Sequence, residues 1–258
     1  MNLFKQKIQK HYDKQAEKRI FWEKKFNYFF TQIQKYFSFN VLPNSKVLEV
    51  GCGTGELLNA VKPSYGVGLD ISPKMISIAK QRYPELHFYC QDIDNLNLND
   101  KFDYIFLSGL LGDLEDIQKS LHQLRKVSDN KTKFIFSYYN KLWEPLLKIA
   151  EIFKLKSPQL RQNWLSKNDL INLLKLCDYE LIKHYNKIIL PIKIPFLNFF
   201  FNNLIANLPL FRNFSLISFA HLKKIDFKKK EDLSVSIVIP ARNEKGNIEN
   251  VVKRIPKF

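Results

Sequence analysis

KVLEVGCGTGELLNAVKPSYGVGLDISPKM, residues 46–75, passes from a short apolar run through three alternate glycines, Gly51, Gly53 and Gly55, into a helical pattern. A second apolar run follows and ends on Asp70. Strand, tight turn, helix and strand in that order make a right-handed βαβ unit, the repeating piece of a parallel sheet. The alternation continues outward from it. LHFYCQD, FDYIFLS, KFIFSYY and YELIKHYNKIIL read as strands, and helical periodicity covers 114–127, 143–154 and 168–176. Ser72 suits a cap and Pro73 the first turn of a further helix, whose inner face is Met75, Ile76 and Ala79 and which Pro84 stops. Upstream, the first 40 residues suit helix, with Ile20, Phe26, Phe30, Ile33 and Phe37 near one face until Pro43 and Asn44. The pattern predicts an α/β fold: a doubly wound, mostly parallel seven-stranded sheet with helices on both faces.

Composition limits what such a fold can be for. With 258 residues, 45% of them hydrophobic, and with Phe 22 and Tyr 11, the chain carries enough apolar surface to bury a large core. A net charge of +16 suits nucleic acid, an anionic membrane or an anionic substrate, but lysine is spread along the whole chain, as a general compositional bias would spread it. Cys52, Cys90 and Cys177 are isolated and have no histidine at ligand spacing, so neither a disulfide framework nor a metal site is expected. The N-terminus shows no signal-peptide core, and no apolar run is long enough to span a bilayer. These features predict a cytoplasmic protein.

In open α/β sheets the ligand lies beyond the carboxyl ends of the strands, where strand order reverses. Glycines there let a ligand lie against main-chain atoms, and a carboxylate ending the next strand, Asp70, suits a ribose diol. The dinucleotide fingerprint needs glycine at position 56, where Glu56 stands, and no G-K-[ST] follows to make a phosphate loop. Glu49 and Glu56 surround the turn with negative charge, which disfavours a polyphosphate and suits a cation. S-adenosylmethionine, with a ribose, an ammonium and a sulfonium, meets these demands.

VLEVGCGTG, VGLDIS and CQDIDNL resemble, in order and spacing, the first three motifs of class I S-adenosylmethionine-dependent methyltransferases. The resemblance implies that Gly51, Cys52, Gly53 and Gly55 pack against the methionine and ribose, and that Glu49 orients the loop or the ammonium. It implies that Asp70 holds the ribose hydroxyls with Ile71 against the adenine. It also implies that Asp92 accepts from the adenine amino group with Ile93 beside it, and that Ser108 lines the methyl-donor floor. FDYIFLSGLLGDLEDIQKSLHQL, FSYYNKLWEPLLKIAE and QNWLSKNDLINLL further resemble a bacterial methyltransferase module found ahead of a family 2 glycosyltransferase. One departure is Arg19, where such modules carry a tyrosine, which argues against a cofactor contact from the first helix. LSVSIVIPARNEKGNIENVVKRIPKF, residues 233–258, is similar to the opening strand, loop and helix of that glycosyltransferase; without the carboxylates that follow in such enzymes, no sugar transfer is expected from these residues. The expected organisation is a helical lid over 1–40, the methyltransferase domain over 41–222, a charged linker over 223–234 and the glycosyltransferase opening over 235–258.

Methyl transfer is an in-line displacement, so positioning and exclusion of water matter most and no general base is obligatory. Tyr138, Tyr139, Asn140 and Trp143 follow the fifth strand toward the active end, and Asn163 and Trp164 offer further acceptor-pocket groups; Tyr139, Trp143 and Trp164 are the substrate candidates. His122 fits a helix surface better than a catalytic role. RNA is a disfavoured acceptor: the fourth strand ends in LSGL without the proline and aromatic of base-amino methylation, and no cysteine stands there as a nucleophile. A non-catalytic S-adenosylmethionine-binding regulator remains open. Around residues 192–214, prolines and asparagines rule out a simple span, yet Phe196, Phe199, Phe200, Leu204 and Ile205 beside lysines suit peripheral contact with the inner face of the cell membrane. Packing over the sheet is the other reading of that segment. The acceptor is accordingly expected to be a small molecule, a glycan or a lipid-linked compound.

Overall fold

The computed structural model describes residues 2–153, 155–157, 159–160, 162–225 and 248–254, and for residues 209, 210 and 251 the backbone alone. The chain divides into two compact units, Met1–Asp226 and Phe227–Phe258. In the second, one helix, Ile248–Lys253, is described. The opening strand and P-A-R-N-E loop expected at its start, and most of the expected linker, lie outside the described residues.

In the first unit the strands are β1 (Lys46–Val50), β2 (Tyr65–Asp70), β3 (His87–Cys90), β4 (Tyr104–Ser108), β5 (Lys133–Tyr139), β6 (Tyr179–Lys187) and β7 (Ile217–Lys224). They form a single sheet in the order β3-β2-β1-β4-β5-β7-β6. All pairs from β3 to β5 are parallel, and β7 enters antiparallel between β5 and β6. Strand order reverses between β1 and β4, so a crevice opens beyond their carboxyl ends. Lys223 and Lys224 belong to β7, which moves the expected start of the linker beyond them.

Alternation along the strands divides the core in two. Leu48, Val50, Ile105, Leu107, Phe134 and Phe136 meet α5 (Ile117–Lys126) and α7 (Lys167–Leu176) on one face. Val47, Phe106, Ile135 and Phe219 meet the other group, α2 (Asn27–Asn40), α3 (Glu56–Ala60), α4 (Pro73–Arg82) and α6 (Glu144–Ile152). Phe37 of α2 is fully buried, its ring 4.8 Å from that of Phe106. Local chemistry fixes the helix starts. Ser72 accepts from the Met75 amide, and Ser166 with Asp169 closes a reciprocal capping box.

The helical stretch read over residues 1–40 is two helices. α1 (Leu3–Lys25) ends at Phe26, whose backbone leaves the helical region (φ -108°, ψ 31°), and α2 starts at Asn27. The break takes Ile20 off the expected apolar face and leaves it 40% exposed, whereas Phe29, Ile33 and Phe37 point inward from α2. The buried residues of α1 are Ile8, Ala16 and Glu23, and polar side chains such as Lys5, Gln9 and Asp13 share its contact with the rest of the unit.

Candidate functional site

Beyond β1 the chain turns back on itself: the Gly51 and Cys52 amides both donate to the Leu69 carbonyl of β2, at 2.7 and 2.9 Å. The turn needs left-handed backbone at Gly53 (φ 52°) and Gly55 (φ 81°). These two glycines serve different ends. A side chain at Gly53 would meet nothing within 4 Å, so the bare backbone there faces open space, whereas one at Gly55 would start 2.7 Å from the Phe88 ring. Gly55 therefore shapes the turn and does not line the cavity, which corrects the direct contact expected of it.

A cavity of about 490 Å³ fills the crevice. Glu49, Gly51, Cys52, Gly53, Asp70, Ile71, Asp92, Ile93 and Ser108 all line it, as do Tyr139 and Trp143. Asp70 accepts from the Gly53 and Ser72 amides, both at 2.9 Å. Burial pushes its carboxyl above the usual range, and these two amides pull it partly back. Glu49 is 3% exposed, and its Oε2 has no hydrogen-bond partner. Burial pushes its carboxyl up to about 8, against the pull of the Leu58 amide and the Arg19 guanidinium. Asp92 accepts from the Asp94 amide and is paired with Lys5. Ser108 lies opposite Ser137 on β5, their hydroxyls 3.0 Å apart on the cavity floor. Sequence reasoning had not reached Ser137.

Trp164 does not line this cavity. It stands behind Tyr139, ring centroids 6.4 Å apart, while Asn163 ties the loop after β4 by donating to the Leu114 carbonyl at 2.7 Å. Tyr138 and Tyr139 take opposite faces of β5; Tyr138 is within hydrogen-bond distance of His184 (3.0 Å), and His122 is exposed on α5.

The largest addition to the sequence-derived site is α1. Its residues at one helical face each tie down part of the crevice. Lys5 pairs with Asp92 and Asp94, and Gln9 donates to the Ile71 carbonyl at 3.0 Å. Asp13 accepts from the Ser72 hydroxyl at 2.6 Å, and Glu23 accepts from the Thr54 hydroxyl at 2.9 Å and pairs with Arg82. Arg82 in turn reaches Glu56, whose role is thus to hold α4 to α3. Tyr12 donates to Asp113 across the cavity, and burial pushes the Asp113 carboxyl up to about 6. Arg19 lines the cavity too, so the first helix contributes side chains there despite the missing tyrosine. Tyr12 and Glu23 belong to a helix that looks merely charged, and Asp113 to a loop with no motif of its own.

The cavity has two ends of different chemistry. Glu49, Asp70 and Asp92 make one acidic, in a protein of net charge +16. Phe26, Phe29, Phe30, Trp143, Leu147 and Ile217 make the other aromatic and apolar. The acidic end fits S-adenosylmethionine on structural grounds: an open cradle at Gly53 that a side chain would fill, a buried carboxyl oxygen lacking a partner, and carboxyl acceptors suited to a cationic nucleoside.

Residues 42–185 match the family described as "Methyltransferase domain". Among curated proteins, the chain is 32% identical over 123 residues to malonyl-[acyl-carrier protein] O-methyltransferase 1 of Ilyobacter polytropus, a match covering 45% of each. It is 33% identical over 113 residues to the malonyl-[acyl-carrier protein] O-methyltransferase of Bacillus cytotoxicus, covering 41% of this chain and 40% of that one. The chain thus spans less than half the length of these two relatives. Of solved structures, magnesium protoporphyrin IX methyltransferase from Synechocystis PCC 6803 with bound SAH superposes with a TM-score of 0.60 at 17% identity, over 86% of this chain and 100% of that one. N-methyltransferase NodS from Bradyrhizobium japonicum, also with SAH, gives 0.51 at 13% identity, over 76% and 85%. At these identities the likeness speaks for the fold. With the family match over 42–185 and the acidic cradle beyond β1, the chain belongs to the class I methyltransferase domains that use S-adenosylmethionine as cofactor.

Proposed function

We propose that this domain methylates an acceptor with an apolar body, a hydrophobic small molecule or a lipid-linked compound, glycan-bearing or not. The observation that carries this is the division of one cavity into an acidic end and an aromatic end. When bound, S-adenosylmethionine supplies a methyl group made electrophilic by its sulfonium. Glu49 holds the ammonium, Asp70 accepts from the ribose hydroxyls, Ile71 and Ile93 flank the purine, and Asp92 accepts from its amino group while keeping Lys5 as partner. Tyr139, Trp143 and the phenylalanines of α2 orient the acceptor and exclude water, which is most of what an in-line displacement requires. For a hydroxyl acceptor, Asp113 takes the proton: its carboxyl, at about 6, is ionised at neutral pH yet basic enough to accept.

The finer resemblance, to a module joined to a family 2 glycosyltransferase through residues 235–258, also favours a glycan or lipid-linked acceptor. That support comes from sequence alone.

The test is transfer of tritiated methyl from S-adenosylmethionine to cell extract split into organic-soluble, aqueous, RNA and protein fractions. Label is expected in the organic fraction, and Asp70→Ala is expected to lower it about a hundredfold, since the ribose contact and the loop amides are lost together. Label confined to RNA would replace this reading with a nucleic-acid one. Calorimetric binding of S-adenosylhomocysteine with no transfer to any fraction would leave a cofactor-binding regulator.

A further inference from the structure

Two apolar surfaces meet at the aromatic end of the cavity. One is α6, which turns Leu147 to the core and leaves Leu146, Ile149, Ile152 (76% exposed) and the following Phe153 facing water. A surface helix ordinarily keeps that outer face polar. The other is the segment 192–214, which prolines at 191, 195 and 209 break into short helical turns. Two of its asparagines, Asn198 and Asn202, bind the backbone around the segment's start. Asn202 accepts from the Ile189 and Leu190 amides at 2.8 and 2.9 Å and donates to the Leu190 carbonyl, and Asn198 donates to the Ile192 carbonyl at 2.6 Å. With the turns fixed this way the rings point outward: Phe196 is 92% exposed and Phe199 64%, with Phe200, Leu204, Leu208, Phe211 and Phe214 exposed beside them.

The two surfaces are joined directly. Asn140, just before α6, donates to the Asn213 and Ser215 carbonyls at 2.7 and 2.9 Å, and the Trp143 indole donates to the Phe214 carbonyl at 2.7 Å. Leu146 from one side and Pro191 from the other line the cavity itself, so the apolar surface continues into the aromatic end. Charge identifies the occupant. No Asp or Glu occurs between Glu180 and Asp226, whereas Lys183, Lys187, Lys193 and Arg212 lie in that stretch and are exposed. On α6 the acids Glu144 and Glu151 are paired with Lys148 and Lys156, and exposed rings with this cationic rim match the acyl boundary and headgroups of an anionic bilayer. A second copy of this chain would have to bring the same cations against each other. No helix among the described residues is long and apolar enough to cross a membrane, so the contact is one of surface.

We propose that this face seats the protein on an anionic lipid bilayer, with the cavity's aromatic end turned to the acyl boundary, where the acceptor is taken up. The acceptor half of this proposal rests on the methyltransferase reading above; the docking half does not. The full chain is sedimented with phosphatidylcholine vesicles, with and without phosphatidylglycerol, and S-adenosylhomocysteine binding is followed in parallel by calorimetry. Binding to the anionic vesicles that weakens with salt is expected, and Phe196→Ser combined with Phe199→Ser should lower the partition coefficient about tenfold while leaving S-adenosylhomocysteine affinity unchanged. Equal partitioning of wild type and variant, or no binding to anionic vesicles by a protein that binds S-adenosylhomocysteine, overturns the proposal. Self-association in the ultracentrifuge that the variant abolishes, without vesicle binding, overturns it in favour of a second copy. Vesicle binding by a protein that ignores S-adenosylhomocysteine would instead sink the methyltransferase reading and keep the docking surface.

Discussion

Glu49 is buried with one carboxylate oxygen lacking a partner, and that single residue makes the site testable through protons. Its carboxyl, raised from 4.5 to about 8 by burial, is held neutral in the folded protein at neutral pH. The folded state then binds a proton that the unfolded chain releases, so this contribution to stability is full below about 4.5 and is lost as pH rises through about 8. Glu49→Gln, always neutral, should therefore match wild type below pH ~4.5 and become progressively the more stable protein between about 4.5 and about 8, by up to a few kcal/mol at the upper end, as read from denaturant melts. A cationic ammonium reverses the preference. Binding of S-adenosylhomocysteine to wild type near neutral pH should release a proton, seen as a dependence of the calorimetric enthalpy on buffer ionisation heat; the Gln variant should show none and bind more weakly. Equal proton release by both would remove Glu49 from the ammonium site.

Among the elements, α1 has a mean composition that hides its purpose. Lys5, Gln9, Asp13 and Glu23 follow helical spacing and reach Asp92 and Asp94, the end of β2, the cap of α4 and the glycine turn in succession. Glu23→Gln keeps the shape but weakens the pairing with Arg82 and the Thr54 hydrogen bond, at a cost of about 1–3 kcal/mol. Amide exchange in α1 should then quicken about tenfold or more while β1 and β4 keep their protection. Unchanged exchange in α1 would mean that the helix is held by its apolar contacts instead. β1 to β6 and α3 to α7 were readable because period and punctuation are local: alternating apolar residues, Ser72 before Pro73, Gly55 before Glu56. The break at Phe26 was not, because nothing local demands it; α2 departs to set Phe37 against Phe106 and Phe219, contacts known only once the sheet exists.

For the whole molecule, the topological switch between β1 and β4 gathers what the sequence scatters. Glu49, Asp70, Asp92 and Ser108 could be placed together in advance because each lies at or just beyond the carboxyl end of a strand, and those ends converge in this fold whatever lies between them. Trp164 was misplaced and Tyr12, Asp113 and Ser137 were missed for the opposite reason: each owes its position to packing across distant segments, with no spacing rule to announce it. Where β7 would insert was likewise settled by pairing with β5 and β6 more than by its own residues. The polar ties of α1 bear on timing as well. A nucleoside bound in the cavity that α1 lines would have to wait for this strap, fastened at both ends and in the middle, to loosen before departing, so spent donor should linger after each catalytic event. Pre-steady-state mixing ought then to show a burst of product followed by a slower linear phase, and brine that weakens the fastenings ought to hasten the linear phase and spare the burst.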